Sequence, residues 1–367
     1  MAFKTCAEIN LDNLAHNYRA ICRQTAPALV IPVVKADAYG HGSVQVAKCL
    51  VKKGCRFFVV AQFQEAMELR DSGIHQPILI FGRLQAHQMA EAVEADLHIT
   101  LFGKDDLRLI KSATPKRPVH VHIKIDTGMG RVGLIPIMEP GFIDQVINSP
   151  FLIWEGLYTH FSTSEELDKT YTEQQLRKFN ILLSSLKGSL PRRIIIHAAN
   201  SGAILNHPAS YFDAVRSGII LYGHYPSSDV PPTIALRQVM TFKTYISHLR
   251  LMPADHPISY GRRWKTSEQT KIAVIPVGYA DGIRRQLSNM GEVLIRGKRY
   301  PMVGAVTMDQ TMIHVGNHPV QEGDEVVIWG DSEQGSIQVL EVAEKIGAIP
   351  YELTCGVTKR VQRVYTP

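Results

Sequence analysis

Leu29-Val30-Ile31-Pro32-Val33-Val34-Lys35-Ala36-Asp37-Ala38-Tyr39-Gly40-His41-Gly42 carries an apolar, charge-free run straight into a lysine and a glycine-bearing turn. The run Leu29 to Val34 reads as a strand buried on both faces, which puts Lys35 at its carboxyl end. Runs of the same kind follow at Phe57 to Val60, Ile78 to Phe81, Leu97 to Leu101, Val119 to Ile125, Leu152 to Thr159, Arg193 to His197 and Phe212 to Leu221. Helical patterns separate them. Ser43 to Lys53 stops at Gly54 and Glu65 to Ser72 stops at Gly73, the residue type favoured just past a helix. Eight strand–helix units predict a (β/α)8 barrel of the TIM type over residues 12–232, with Gly218 interrupting the apolar run of the last unit. In such a barrel the carboxyl ends of the strands form the catalytic face, so Lys35 stands where chemistry is expected.

After Pro231-Pro232 the rhythm changes to Met240 to Leu251, Lys271 to Val277, Glu292 to Ile295 and Glu325 to Trp329, punctuated by Gly and Asp. That pattern predicts a mostly β second domain over residues 233–367, interrupted by one helical segment, Ile337 to Ile346, before a final strand. Residues 1–11 are expected to form a strand packed with this second domain. There is no internal repeat and no low-complexity tract.

With 367 residues, 45% hydrophobic and 20% charged, the chain can bury two substantial cores, and its composition is not that of a disordered protein. The formal charge of +6 is spread over single or paired basic residues such as Arg192-Arg193 and Arg284-Arg285. That distribution argues against a nucleic-acid partner and is compatible with small anionic ligands. Five scattered cysteines without a C-x-x-C pair suggest neither a disulfide framework nor a zinc site, and no metal is expected. The amino terminus lacks a signal-peptide pattern and no apolar stretch is long enough to span a bilayer, so the expected location is the cytoplasm, away from membranes.

Val119-His120-Val121-His122-Ile123-Lys124-Ile125 alternates strictly. If its aliphatic residues meet the helices, His120, His122 and Lys124 point into the barrel. An unpaired ammonium in that interior is costly, so Lys124 must pair, lose its proton or be modified.

The Lys35 to Gly42 segment resembles the cofactor-lysine motif of the alanine racemases, in which the lysine carries pyridoxal 5'-phosphate as a Schiff base and the tyrosine four residues on touches the phosphate. Here these are Lys35 and Tyr39. Lys124-Ile125-Asp126-Thr127-Gly128-Met129-Gly130-Arg131 is similar to a second motif of that family. This likeness implies that Lys124 is carbamylated and holds Arg131, and that Arg131 contacts the cofactor's phenolic oxygen and the substrate carboxylate. Thr159-His160-Phe161, Ala199-Asn200-Ser201 and Arg216-Ser217-Gly218-Ile219 resemble three more motifs. The likeness implies that Arg216 faces the pyridine nitrogen with His160 nearby, and that Asn200, Ser201, Gly218 and Ile219 serve the phosphate end. Ser217 stands where the family usually has proline.

In the second domain Ile258-Ser259-Tyr260-Gly261 resembles the motif of the family's second catalytic base, Tyr260. Val277-Gly278-Tyr279-Ala280-Asp281-Gly282 and Val306-Thr307-Met308-Asp309-Gln310 match two further motifs, the latter with Met308 as a substrate-carboxylate contact. Tyr351 matches the tyrosine that closes the pocket over the phosphate. Together these imply a two-base racemase acting on alanine through pyridoxal phosphate, supplying D-alanine for peptidoglycan, with Lys35 and Tyr260 on opposite faces of the substrate. They also imply a homodimer in which each site takes Tyr260 and Met308 from the partner. Lysine and tyrosine both ordinarily titrate near about 10, so the site must lower them to act as bases. A serine or broad-specificity racemase is an alternative on the same fold. More distant are a barrel-type amino-acid decarboxylase, whose catalytic cysteine and glycine-rich phosphate loop are not found here, and a pyridoxal-phosphate-binding regulatory protein, which would lack the second domain.

Overall fold

The structure, a computed structural model, describes residues 4–367. Residues 1–3 of the expected N-terminal strand lie outside that range. After strand β1 (Cys6–Asn10), the barrel strands are β2 (Leu29–Pro32), β3 (Phe58–Val60), β4 (Ile78–Ile80), β5 (His98–Leu101), β6 (Val119–Lys124), β7 (Leu152–Tyr158), β8 (Ile195–His197) and β9 (Ala214–Ser217). All eight pair in parallel in the order β2-β9-β8-β7-β6-β5-β4-β3. The ring closes through a bridge between Val33 and Val59, beside which the Val34 amide donates to the Val59 carbonyl at 2.9 Å. The strands are shorter than the apolar runs because flanking residues such as Phe57 and Leu97 lie outside the ladder yet stay buried. This is the (β/α)8 architecture expected from the spacing of the runs.

The first helix, Leu11–Thr25, shows why the helical layer forms. Asn10 caps it by accepting the Asn13 amide at 2.7 Å, and Leu14, Tyr18 and Ile21 recur on one buried face. Buried Asn17 lies on the same helix and donates to the carbonyls of Leu221 and Arg237, which ties the end of the barrel to the chain entering the second domain.

The second domain contains β10 (Met240–Tyr245), β11 (His248–Met252), β12 (Pro257–Ile258), β13 (Trp264–Lys265), β14 (Thr270–Ile275), β15 (Glu292–Ile295), β16 (Lys298–Pro301), β17 (Thr311–His314), β18 (Glu325–Ser332), β19 (Gly335–Ile337) and β20 (Gln362–Thr366). Its largest sheet runs β16-β15-β18-β10-β1-β20, with β19 on β18. β1 thus sits between β10 and the parallel β20. The stretch Met240 to Leu251, read as one run, is two strands. The chain breaks at Ile246-Ser247 because β10 pairs with β18 whereas β11 pairs with β14 in a separate three-stranded sheet. A second helix, Pro350–Gly356, also follows Val339–Lys345, where a single helix was expected. Seven residues are too few to display a helical period, although Pro350 at its first turn is a start signal.

Candidate active site

At the carboxyl end of β2 the backbone enters an unusual turn. Ala36, Asp37, Ala38 and Tyr39 all have φ between 52° and 55°, the left-handed region that costs a residue with a Cβ about 1–2 kcal/mol. Contacts on all sides hold it there. Glu65 accepts the Ala36 amide at 2.6 Å and Asp37 accepts the Ser43 amide at 2.8 Å. Gly40, at φ 84°, lies so close to helix Pro350–Gly356 that a Cβ would come within 2.2 Å of the Thr354 carbonyl oxygen. The turn projects Lys35 into the mouth of the barrel and lowers Tyr39 between the rings of Tyr222 and Tyr351, at centroid distances of 5.0 and 5.8 Å.

A cavity of ≈ 300 Å³ lies at this end of the barrel, and Lys35, Tyr39, His160, Asn200, Ser201, Arg216, Gly218 and Tyr351 all line it. At one end the Gly218 amide donates to Ser201 Oγ at 3.0 Å. A Cβ on Gly218 would fall 2.8 Å from Tyr39 Oη and 3.3 Å from Ser201 Oγ, so only glycine leaves room among these groups. Two hydroxyls and an amide converging on a glycine make a cradle suited to a phosphate. Asn200 is engaged elsewhere. Its Oδ1 accepts from Ser164 Oγ at 2.7 Å and from the Ala203 amide at 3.0 Å, and its Nδ2 donates to the Phe161 carbonyl. The side chain thereby fixes the loops after β7 and β8. Ile219 is buried directly behind Gly218.

Arg216, 2% exposed, holds the other end. It donates to the carbonyls of Thr159 and Ala198 at 2.8 Å each, to His197 Nδ1 at 2.9 Å and to His160 Nδ1 at 3.2 Å. Its guanidinium also lies 5.3 Å from the centre of the Tyr158 ring. Burial pulls its pKa down to about 10, which leaves it charged at neutral pH. The His160 imidazole is held well below its usual pKa by burial and then by Arg216, so it stays neutral and can accept.

Lys124 ends β6 and is 4% exposed. Burial, followed by the nearby Arg131 and Arg216, lowers its pKa to about 8. Burial and Arg131 lower Lys35 in the same direction. Among the described residues neither Lys124 nor Arg216 has a carboxylate within ion-pair distance. The loop carrying Arg131 is shaped by Asp126, whose carboxylate accepts the amides of Gly128 and Gly130. This crowd of cations favours anionic groups in the cavity: a phosphate, a carboxylate or a carbamate on Lys124.

Not every expected residue reaches the cavity within one chain. Arg131 is exposed and acts on Lys35 and Lys124 through its charge without lining the cavity. Tyr260 is 75% exposed and Met308 52% exposed; both belong to the second domain, and neither lines the cavity. Other residues escaped the sequence reading. Phe81, Met129, Phe161 and Glu165 contribute to the wall, and Tyr158 and His197 support Arg216 from below. Phe81 looks like an ordinary core residue in sequence. His197 carried a usable signal, because it follows Ile195 at the two-residue spacing of an inward strand face.

The barrel residues match a family model described as alanine racemase, N-terminal domain, over residues 9–226, and the second domain matches alanine racemase, C-terminal domain, over residues 239–365. The chain is 44% identical to alanine racemase 2 of Caldanaerobacter subterraneus subsp. tengcongensis, with 98% of this chain and 94% of the relative covered. It is 40% identical to the alanine racemase of Carboxydothermus hydrogenoformans, with 98% of each covered. Among solved structures it is similar to alanine racemase of Clostridium difficile 630 (36% identity, TM-score 0.91, covering 100% of this chain and 96% of that one). It is also similar to the alanine racemase of Bacillus anthracis with bound L-Ala-P (35% identity, TM-score 0.92, covering 100% and 96%).

Proposed function

The chain belongs to the alanine racemase family, and from that premise we propose that it interconverts L-alanine and D-alanine with pyridoxal 5'-phosphate, using Lys35 and Tyr260 as the two bases. The observation that carries this reading is the convergence of Lys35, the Tyr39–Ser201–Gly218 cradle and Arg216 on a single cavity at the carboxyl end of the barrel.

The residues present fit the cofactor. Tyr39, Ser201, Tyr351 and the amides of Gly218 and Ile219 would hold its phosphate, Arg216 would donate to the pyridine nitrogen, and Lys35 would attach it. When bound, its electron-withdrawing ring spreads the negative charge left at an amino acid's α-carbon, which makes that carbon acidic. The chain must then remove a proton from one face and return one on the other. Lys35 Nζ serves the first face, and burial beside Arg131 lowers its pKa toward the working range. Tyr260 serves the opposite face, contributed by the partner of a homodimer together with Met308, whose amide would meet the substrate carboxylate alongside Arg131. The exposure of Tyr260 and Met308 supports that arrangement. A chiral assay on alanine and serine tests the reaction: racemisation of alanine is expected to dominate, and racemisation of serine alone would overturn the choice of substrate.

Arg216 limits side reactions. A guanidinium holds its protons, so beside a bound cofactor it would leave the ring nitrogen unprotonated and would restrain charge from flowing further into the ring. Arg216→Glu is expected to slow racemisation about 100-fold or more, as the loss of a preorganised donor does, and to permit partial transamination. Absorbance spectra with alanine present and a pyruvate assay check it; a fully active variant with an unchanged spectrum would remove Arg216 from this role.

Lys124 is proposed to be carbamylated, because an anion there would balance Arg131 and because its pKa of about 8 leaves a reactive free amine. The sign follows from the amine. Carbamylation needs the neutral form, so modification is expected to grow as pH rises through about 8 and to be lost as pH falls below it. A carbamate signal from carbon-13 bicarbonate, absent in Lys124→Ala, is the expected result.

A further inference from the structure

We propose that His98, His122 and Glu155 form a binding site for a divalent cation of the zinc class at the amino-terminal end of the barrel, coupled through His197 to Arg216. The cysteine spacing suggested no metal site; this one is built from two imidazoles and a carboxylate. His98 opens β5, His122 lies on β6 and Glu155 on β7. The β6–β7 register shifts between Val121 and His122, so that Val121 pairs with Trp154 and His122 with Gly156. Glu155 is therefore the extra residue of a bulge, a feature that re-aims side chains. Its carboxylate stands 3.5 Å from His98 Nδ1 and 2.9 Å from His120 Nδ1. Gly156 makes room for the His122 ring, since a Cβ there would lie 1.9 Å from His122 Nδ1.

His98 Nδ1 and His122 Nε2 are 3.2 Å apart, and the donor atoms of all three residues lie within 4.8 Å of one another. Tetrahedral zinc with bonds near 2.1 Å places its ligands about 3.4 Å apart. The His98–His122 and His98–Glu155 separations of 3.2 and 3.5 Å already match that, and the Glu155 carboxylate must swing toward His122 to complete the trio. The two imidazoles are buried, whereas the Glu155 and His120 side chains are 31% and 25% exposed. The site therefore opens to solvent on the carboxylate side, which gives a cation a way in and leaves a position for water.

Hydrogen positions explain why a cation is wanted there. Arg216 can only donate, so His197 Nδ1 must accept, and the proton of that ring is on Nε2. His197 Nε2 then donates to His122 Nδ1 at 3.2 Å, and His122 Nε2 donates to His98 Nδ1. The run ends at His98 Nδ1, whose single lone pair takes the His122 proton; a Glu155 carboxylate oxygen stands 3.5 Å from that same nitrogen, so two electron-rich atoms face each other with no hydrogen between them. A cation relieves that opposition. Ligation through His122 Nε2 requires a lone pair on that atom, so the ring's proton moves to Nδ1. His122 then donates to His197 Nε2, and the His197 proton moves to Nδ1, where it meets the Arg216 donor. Each ring keeps one proton throughout. Metal binding thus opposes the Arg216–His197 hydrogen bond and should inhibit the enzyme from the far end of the barrel.

Zinc titrated into the holoenzyme by calorimetry is expected to occupy a site that Glu155→Gln and His98→Gln each weaken by more than about tenfold, since even outer partners of a metal site are worth that much. Cobalt(II) in the unaltered holoenzyme is expected to give the visible bands of a tetrahedral nitrogen–oxygen site. Bound zinc is expected to shift the absorbance of the bound cofactor and to slow racemisation, and to do neither in Glu155→Gln. Zinc uptake unchanged in both variants, or no tetrahedral cobalt spectrum, would overturn the site. Zinc bound there with the cofactor absorbance unmoved would overturn the coupling. The binding measurements stand independently of the racemase reading, whereas the coupling rests on it; racemisation absent without metal would identify a failure of that reading instead.

Discussion

Lys35→Ala is expected to lose racemisation by at least about 10⁴-fold, because on the proposed mechanism one substitution removes both the group that would attach the cofactor and the base that would serve one face of the substrate. Two lysines compete for the role on physical grounds. Lys35 and Lys124 are both pushed toward the neutral amine by burial and by Arg131. Position separates them: Lys35 lines the cavity that also contains the Tyr39–Ser201–Gly218 cradle, whereas Lys124 ends β6 and lies outside that lining. Borohydride reduction of the loaded enzyme followed by peptide mapping is expected to place the pyridoxyl mass on Lys35. The label should vanish in Lys35→Ala while far-ultraviolet circular dichroism stays unchanged. A label found on Lys124 alone, or a Lys35→Ala chain with near-normal turnover, would sink the assignment.

The sequence revealed Lys35 more readily than the geometry that presents it. The buried parallel strands were legible because each is a short apolar run bounded by helix signals, and their number decides the architecture. The left-handed turn after β2 was not legible. Ala36, Asp37, Ala38 and Tyr39 are ordinary L-residues, and the conformation comes from contacts distant in sequence: Glu65, the Thr354 carbonyl and the ring of Tyr351. Helix Pro350–Gly356, which supplies two of these contacts, was hidden by its own brevity. The alternation in β6 pointed His120, His122 and Lys124 inward, but it could not foresee the bulge that turns Glu155 toward His98 and His120, since a register shift belongs to two strands at once. Asn200 illustrates a different limit. A motif match locates it beside the phosphate end, yet its side chain is committed to Ser164, Ala203 and Phe161, so its contribution is to hold the loops in place.

A mixed dimer of Lys35→Ala and Tyr260→Phe chains is expected to recover about half of the wild-type activity, although each parent homodimer is nearly inactive. The reason lies in where the two residues stand. Lys35 projects into the barrel mouth of its own chain, while Tyr260 is 75% exposed on the second domain and absent from that chain's cavity. If the partner's second domain covers the barrel mouth, the mixed dimer contains one site with Lys35 from the Tyr260→Phe chain and Tyr260 from the Lys35→Ala chain. Its other site lacks both. A site completed within one chain gives the opposite result, because every site would then carry a single defect and pairing could restore nothing. Co-expression with two different tags and sequential purification isolates the heterodimer, and wild-type chains bearing the same tags control for the tags themselves. A pure heterodimer as inactive as its parents, beside active tagged wild type, would show that Tyr260 does not act across the interface.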